Sequence, residues 1–208
     1  MATFDETIRS FVSRAASDAP TPGGGSVAAL VAALGASMTS MVGNLTQGAK
    51  FSEVEPEMKA IVAQMEAAIT SAERLLEADM LTFDRYMSAL KLPKDTEEQK
   101  AIRAKSLQEA TENATEVPTN LAQLCLDALQ ASKTIAKTAN KNVISDLGIA
   151  AFLLEAAAQS ALLTVDINLP GLKNIQLRTT YQEKRDQIES SIISLRDEIV
   201  TTVRERLA

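Results

Sequence analysis

The chain has 208 residues, 46% hydrophobic and 23% charged, which is typical of a folded globular protein rather than a disordered one. Lys and Arg total 21 against 27 Asp and Glu, and the net charge of −6 argues against a nucleic-acid partner or an anionic membrane surface. The absence of His excludes Ser-His-Asp and Cys-His nucleophile systems and the common catalytic zinc sites.

Prolines and glycines divide the chain into long segments, and each segment has apolar residues at a helical period. In chain order the predicted helices cover residues 3–17, 26–47, 56–90, 97–137, 142–165 and 178–207, the fourth being bent or interrupted near Pro118. Thr96 is suited to cap the fourth helix. No run has the period-two alternation of a β-strand. The sequence therefore predicts an all-α fold, a single-domain bundle of long helices over residues 1–208.

Two segments, 19–49 and 142–165, are apolar enough to be compared with membrane spans. The first is diluted with Gly, Ser, Thr and Asn, and the second carries Asp146 and Glu155, so we predict no membrane insertion. The alternative, a membrane-associated helical adaptor, depends only on the uncharged stretch. A stripe of small residues in the first segment favours a closely packed inner or subunit-interface helix; its members are Ala28, Ala32, Gly35, Ala36, Thr39 and Gly43.

The single cysteine, Cys125, lies among leucines and forms no intrachain disulfide. We expect it to be inert packing in a reducing, cytoplasmic environment. The first six residues have neither a basic nor an apolar signal region, so nothing in them indicates export.

The most unusual local feature is Pro22-Gly23-Gly24-Gly25-Ser26. Three glycines in a row cost conformational entropy, which indicates unusual backbone torsions or the close approach of another group. A tight turn capped by Ser26 and a ligand loop are equally favoured, because the next helix start can bind an anion. No strand precedes the glycines, so a dinucleotide fingerprint is not supported.

Asp79 occupies the apolar stripe of the helix 56–90, with Leu76 and Phe83 as neighbours on that stripe. A carboxylate in such a seam is partly desolvated, and its raised pKa suits a general acid or base. The more ordinary alternative is an aspartate at the stripe edge paired to a Lys or Arg, and spacing alone favours this alternative.

Polar residues also lie at the ends of the long apolar helix 142–165 and at the end of the small-residue helix 26–47. Ser145 and Asp146 favour plain helix capping over a pocket lining, and the same two interpretations apply to Asn168. By default Lys50, just after Gly48, is a solvated charge that complements a helix end.

Taken together, these stretches resemble the formimidoyltetrahydrofolate cyclodeaminase and methenyltetrahydrofolate cyclohydrolase family over essentially the whole chain. The motifs that carry the resemblance are Ala19 to Ser26, Met41 to Gly48, Ala78-Asp79 with Phe83, Leu92-Pro93-Lys94 with Thr96-Glu97-Glu98, Val117-Pro118, Asn140 with Ser145-Asp146, and Ile167-Asn168-Leu169. The chain has only Lys50 where the family usually has two or three basic residues, and Thr164 where an Asn is common.

The resemblance implies an all-α homodimer that acts on a reduced folate, with no metal, no nucleotide and no cofactor besides the substrate. It assigns the catalytic carboxylate to Asp79. The side chains and backbone expected to bind substrate are Pro22, Gly23, Gly24, Gly25, Ser26, Asn44, Thr46, Lys50, Phe83, Asn140, Ser145, Asp146 and Asn168.

Two reactions are compatible with these residues: hydrolysis of 5,10-methenyltetrahydrofolate to 10-formyltetrahydrofolate, and release of ammonia from formimidoyltetrahydrofolate to form the methenyl compound. We favour the first, the cyclohydrolase, because the chain has no fused transferase domain and its Asn142 to Asp146 pattern is more similar to that branch. A non-catalytic helical dimer that binds folate or a protein partner is the remaining alternative.

Overall fold

The computed structural model describes residues 3–208, and within them it contains helices and no strand. Six α-helices follow one another in the chain: α1 (Ile8–Ala15), α2 (Gly24–Asn44), α3 (Glu55–Leu90), α4 (Glu97–Ile135), α5 (Ile144–Asn168) and α6 (Ile175–Leu207). Short 3-10 turns lie at Thr3–Asp5, Ala49–Phe51, Lys141–Val143 and Leu169–Gly171. The prediction of an all-α bundle is confirmed.

The helix boundaries follow from local chemistry at each start. Thr96 and Gln99 form a capping box at the start of α4, as expected of Thr96. Asn174 caps α6 by accepting the N–H of Leu177, so α6 begins at residue 175 instead of the predicted 178. The predicted first helix is shorter than expected, because Thr7 accepts the N–H of Ser10 and begins α1 only at residue 8.

Pro118 lies inside α4, and the helix continues through it from residue 97 to 135 without the predicted interruption. A proline has no N–H, so the carbonyl of Ala114, four residues earlier, loses its helical partner. Asn168 at the end of α5 supplies one instead: its Nδ2 donates to the Ala114 oxygen at 2.7 Å. This tertiary contact satisfies the carbonyl that Pro118 leaves unpaired.

Four helices form the centre of the bundle, with α2 and α4 each packed between α3 and α5, and α6 lies against α4 and α5. α2 runs antiparallel to α3, because Gly43 lies beside Val62 whereas Gly25 lies beside Asp79. The six small residues predicted to form a stripe on α2 are all buried, which confirms a closely packed inner helix.

The outer sides of α2 and α5 expose large apolar side chains, and we call this surface the α2–α5 face. Its most exposed members are Leu34 (50%), Ile149 (48%), Phe152 (44%), Leu163 (69%) and Ile167 (78%), with Val27 at 38%. A groove between the two helices brings Val27 together with Leu163 and Ile167. A continuous apolar surface of this kind marks a contact with another molecule more often than a surface in water.

α2 and the stretch Lys141–Gly171 are long and apolar enough to cross a membrane by length and composition, each with a mean hydropathy of 1.6. In each of the two, half of the most apolar 18-residue stretch is buried inside the bundle. Core helices of helical bundles commonly have the same composition, so packing accounts for the apolar residues on the inner sides of these two helices. The apolar residues on their outer sides form the α2–α5 face.

Candidate functional site

Asp79 lies on α3 beside the beginning of α2 and is half-buried. The Ser26 hydroxyl donates to Asp79 Oδ2 at 2.7 Å, and the backbone of Ser26 makes a second hydrogen bond to the carboxylate. The N-cap residue of α2 is Gly23, which has no side chain to cap the helix. The carboxylate of Asp79 therefore caps α2 from a neighbouring helix, where the positive end of the helix dipole favours an anion.

Burial governs the acidity of this carboxylate. Desolvation raises the pKa of Asp79 above its ordinary value, and the two hydrogen bonds from Ser26 oppose the rise without cancelling it. No Lys or Arg forms an ion pair with Asp79 in residues 3–208. The alternative of a structural aspartate paired to a basic residue, which spacing alone favoured, is therefore wrong.

The glycines explain how the carboxylate comes so close to α2. A Cβ on Gly25 would lie 2.2 Å from Asp79 Oδ1, nearer than real Cβ contacts, so any other residue there would displace the carboxylate from this position. A Cβ on Gly24 would meet nothing within 4 Å, and one on Gly23 would lie 3.5 Å from the Pro20 oxygen. The close approach expected at the triple glycine is thus made by Asp79, at one of the three positions.

Other predicted residues share this end of the bundle, which we call the Asp79 end. Pro22 is buried, and its peptide bond to Thr21 is cis. Phe83 lies one helical turn beyond Asp79 and is 37% exposed.

The end of α5 reaches the same level along the bundle. Arg103 of α4 donates to the carbonyl of Leu90 at the end of α3, so these two residues are at the same level. Eleven residues from each of them, in the same direction along the bundle, lie Ala114 on α4 and Asp79 on α3. Ala114 is therefore level with Asp79, and Asn168 donates to it. Both amide protons of Asn168 are used, by Ala114 and Thr164, so only its Oδ1 acceptor remains for a ligand.

The remaining predicted residues lie at the opposite end of α2, which we call the Asn140 end. Thr46 is buried; its hydroxyl donates to the Val42 oxygen and accepts the N–H of Asn140. Asn140 in turn donates through Nδ2 to the Leu45 oxygen. These bonds join the end of α2 to the turn before α5, so Thr46 and Asn140 have a clear structural role.

Four further predicted residues surround this junction, and all have polar groups near solvent. Asn44 and Lys50 are exposed, and the Lys50 ammonium lies 5.4 Å from the centre of the Phe51 ring. Ser145 is exposed and Asp146 half-buried in the first turn of α5. The N-cap of α5 is Val143, with no side-chain cap, so the expectation that Ser145 caps the helix is wrong.

α2 separates the two ends. Ser26 and Asn44 are 18 residues apart on one continuous helix, which corresponds to about 27 Å at 1.5 Å per residue. A single chain therefore places Pro22 to Ser26, Phe83 and Asn168 at the same end of the bundle as Asp79. It does not bring a second group to that carboxylate: Asn44, Thr46, Lys50, Asn140, Ser145 and Asp146.

No group of three or more metal-ligating side chains is present in the part of the chain described here, residues 3–208. Cys125 is fully buried, and desolvation raises the pKa of its thiol to about 12. The thiol is thus protonated at neutral pH and unreactive, as predicted. Asp79 is the carboxylate in the described residues whose pKa is resolved as raised.

Sequence reasoning did not single out a cluster of basic side chains between α3, α4 and the turn after α5. Lys94, Lys100, Arg103 and Lys173 line a cavity there. The first three follow the Pro93 break at intervals of three to six residues, a signal that was visible in the sequence. Lys173 comes from a distant segment, and only the fold brings it to the others.

Comparison with known proteins gives a consistent result. The family profile described as formiminotransferase-cyclodeaminase matches residues 7–187. A methenyltetrahydrofolate cyclohydrolase from Methylorubrum extorquens is 37% identical over 207 residues, which cover 98% of both chains. The formimidoyltransferase-cyclodeaminase of Mus musculus is 36% identical over 191 residues, and the match spans 35% of that longer protein.

A solved structure has the same architecture. The crystal structure of formiminotetrahydrofolate cyclodeaminase from Thermotoga maritima superimposes with a TM-score of 0.89 at 30% sequence identity. The superposition covers 97% of this chain and 98% of the other.

Proposed function

Because this chain belongs to the formiminotransferase-cyclodeaminase family, we propose that it is a folate one-carbon enzyme that hydrolyses 5,10-methenyltetrahydrofolate to 10-formyltetrahydrofolate, with Asp79 as the catalytic carboxylate. The cyclohydrolase relative supports this reaction, since the similarity extends over nearly all of both chains. The observation that carries the proposal is the half-buried carboxylate of Asp79, which faces a helix start and forms no ion pair with a basic side chain among the described residues.

The substrate is a cation whose positive charge is spread over N5, N10 and the carbon between them. A carboxylate in a partly dry site attracts that cation more strongly than one in bulk water. The hydrogen bonds that Ser26 donates hold the Asp79 carboxylate in position, so it need not reorganise when the substrate binds. Its raised pKa brings its affinity for protons closer to that needed for transfer near neutral pH.

The proposed hydrolysis needs one proton acceptor that later becomes a donor. A water oxygen adds to the bridging carbon, and Asp79 takes a proton from that water. The bond from carbon to N5 then breaks, N5 takes the proton from Asp79, and the remaining hydroxyl proton leaves for solvent as the formyl C=O forms. The reaction is a hydrolysis without electron transfer, and Asp79 of this chain supplies the proton relay.

The same carboxylate suits a second reaction, the cyclodeaminase reaction, which the similarity to the Thermotoga maritima protein favours. There N10 attacks the carbon of the protonated formimino group, an amidinium. The N10 proton passes through Asp79 to the departing NH2 group, and the bond from carbon to that nitrogen breaks, so that ammonia leaves and the methenyl cation forms. Both reactions pass a single proton beside a developing or existing cation. Geometry at Asp79 does not distinguish them.

A side-by-side assay of the two substrates tests the proposal. Purified protein is expected to remove the near-ultraviolet absorbance of methenyltetrahydrofolate faster than the uncatalysed rate. Turnover of formimidoyltetrahydrofolate with ammonia release, and no acceleration of the hydrolysis, would replace the first reaction by the second. If the protein binds tetrahydrofolate and accelerates neither reaction, it is a non-catalytic folate-binding dimer and the enzyme proposal is wrong.

We also propose that the protein is a homodimer that pairs through the α2–α5 face. The face is apolar and has no charged residue on α2, so a second copy is a suitable partner. A two-fold axis near the middle of α2, at Leu34, would place α2 antiparallel to its copy. In that arrangement the Asp79 end of each chain meets the Asn140 end of the other, which brings the two groups of predicted site residues together.

A further inference from the structure

A basic cavity of about 460 Å³ lies at the Asp79 end, between α3, α4 and the turn that follows α5. Four cationic side chains line it and no Asp or Glu does: Lys94, Lys100, Arg103 and Lys173. The whole chain has a net charge of −6, so a cluster of four cationic side chains is the opposite of its overall charge. Such a pocket is expected to attract an anion.

Several donors of this cavity are not used by the protein itself. Lys94 and Lys173 form no ion pair in residues 3–208, whereas Lys100 is paired with Glu97. Gln108 accepts the N–H of Lys173 through Oε1, and its Nε2 is buried with no hydrogen-bond partner in the described chain. The two exposed lysines are therefore the free donors of the cavity, and the unpaired buried amide of Gln108 is a local cost in free energy.

The cavity is aligned with the candidate catalytic carboxylate. Gly25, near the start of α2, lies beside Asp79, so residues 80–90 of α3 extend past the beginning of α2. Asp79, Phe83 and Tyr86 follow at steps of four and three residues and share one face of α3. Tyr86 lines the cavity, and seven residues of helix place it about 10 Å from Asp79.

A folate has the same order of chemical groups. Its reacting carbon is followed by one aromatic ring, then by an amide and by glutamate carboxylates. With the reacting carbon at Asp79, the aromatic ring lies at the level of Phe83, which is 37% exposed. The carboxylates then reach the four cations, where their oxygens accept charge-assisted hydrogen bonds.

On this geometry, and building on the proposed function, we propose that the basic cavity binds the carboxylates of the substrate's glutamate tail. Lys94 and Lys173, which are both exposed, contact the carboxylates. The tail site is thus built from the chain that carries Asp79, and it does not need Lys50, which lies at the Asn140 end. The cavity acts in binding, and Asp79 acts in the chemistry.

Calorimetric binding of two probes tests this site independently of turnover. The probes are tetrahydrofolate triglutamate and tetrahydropteroate, which lacks the glutamate. The double substitution Lys94→Gln/Lys173→Gln removes two exposed charges and should leave the fold intact. It is expected to reduce the preference for the triglutamate about tenfold, as the loss of two partly exposed charge contacts predicts.

A control variant with the same change of charge, Lys137→Gln/Lys184→Gln, in the turn after α4 and on α6, is expected to keep the wild-type preference. An equal loss for both probes, or an unchanged preference in the first variant, would overturn the tail site; the cavity would then serve another anion such as phosphate, or none. Wild-type protein that prefers the triglutamate and converts neither folate substrate would leave the tail site standing and refute the proposed reaction instead.

Discussion

Ser26 and Asp79 are 53 positions apart in the chain, and their hydrogen bond joins the glycine turn to the candidate catalytic carboxylate. The pair shows what single residues reveal from sequence. Asp79 was recognisable as a polar residue in an apolar stripe, and its partial burial follows from that position. Its partner was not recognisable, because a cap supplied by another helix leaves no local pattern.

Replacing Asp79 by Asn tests its role directly. Asn keeps the shape and one acceptor oxygen but cannot relay a proton, so Asp79→Asn is expected to reduce kcat by about 10²- to 10⁴-fold. The measurement is loss of methenyltetrahydrofolate absorbance under saturating substrate. Near-wild-type turnover would exclude Asp79 as the relay.

The same variant is not expected to lose stability. Since the folded-state pKa of Asp79 is raised, its protonated form is favoured on folding, and that contribution to stability is lost as pH rises through the folded pKa. At pH 7 the charged carboxylate therefore carries a desolvation penalty that Asn does not have. Thermal unfolding at pH 7 should give Asp79→Asn a Tm at or above that of the wild type, and the difference should shrink as pH falls through the raised folded-state pKa toward the unfolded value of about 4.

Ser26→Ala is expected to move the pH dependence of the reaction. The Ser26 hydroxyl stabilises the charged form of Asp79, so its removal raises the pKa of the carboxylate further. The acidic limb of kcat/KM against pH, where the base becomes protonated, should shift to higher pH. Ser37→Ala is the matched control, because that hydroxyl donates only to the Ala33 carbonyl on the same helix. An unshifted limb in the Ser26 variant would show that this hydrogen bond does not tune the catalytic base.

At the scale of whole helices, the helical period of apolar residues and the positions of Pro and Gly predicted the elements well. The starts of α3 and α4 were predicted correctly from Pro56 and Thr96, because a first-turn proline and an N-cap act locally. The continuity of α4 through Pro118 was not predictable, since the partner that satisfies Ala114 is Asn168, on a helix 54 residues away in sequence. Tertiary contacts here override a local helix-breaking signal.

The start of α2 offers a pair of substitutions that differ by one position. In Gly25→Ala the new methyl group would collide with the Asp79 carboxylate, so the carboxylate must move and kcat/KM should fall by about 10²-fold. Gly24→Ala places the same methyl group in open space on the same helical turn. It should lose much less activity than Gly25→Ala, because it leaves the Asp79 carboxylate in place, and the measured ratio between the two variants is the test. Equal effects would mean that the contact between Gly25 and Asp79 does not matter for the reaction.

On the scale of the whole molecule, the sequence identified two groups of polar residues but not their separation. The order of motifs along a chain does not give the distances between them in the folded protein. Only the antiparallel packing of α2 with α3 and α5 shows that the two groups lie at opposite ends of α2. The apolar α2–α5 face between them is also visible only after folding, because in the sequence its members alternate with buried residues of the same type.

A heterodimer tests whether two chains share the site. Asp146 makes no hydrogen bond or ion pair in residues 3–208, so Asp146→Asn should fold normally and, at a shared site, lose activity. Co-expression of Asp79→Asn and Asp146→Asn chains with different tags allows the mixed dimer to be purified. One of its two sites then has both native residues, so about half of wild-type activity is expected.

Two results would contradict the shared site. The first is a mixed dimer no more active than the average of the two parent variants, which would place each site within one chain. The second is a purely monomeric protein in sedimentation equilibrium that is nevertheless active. Either result leaves the tail-binding cavity unaffected, since its lining residues come from a single chain.

Pro118 has a consequence that reaches beyond α4. A more regular sequence, with a residue that has an N–H at this position, would give the Ala114 carbonyl a partner within its own helix and release the amide of Asn168. The last turn of α5 would then lose its anchor at the height where the substrate is proposed to react. The proline in α4 thus holds the end of α5 in place through Asn168. Replacing Pro118 to stabilise α4 would therefore reduce order in the pocket.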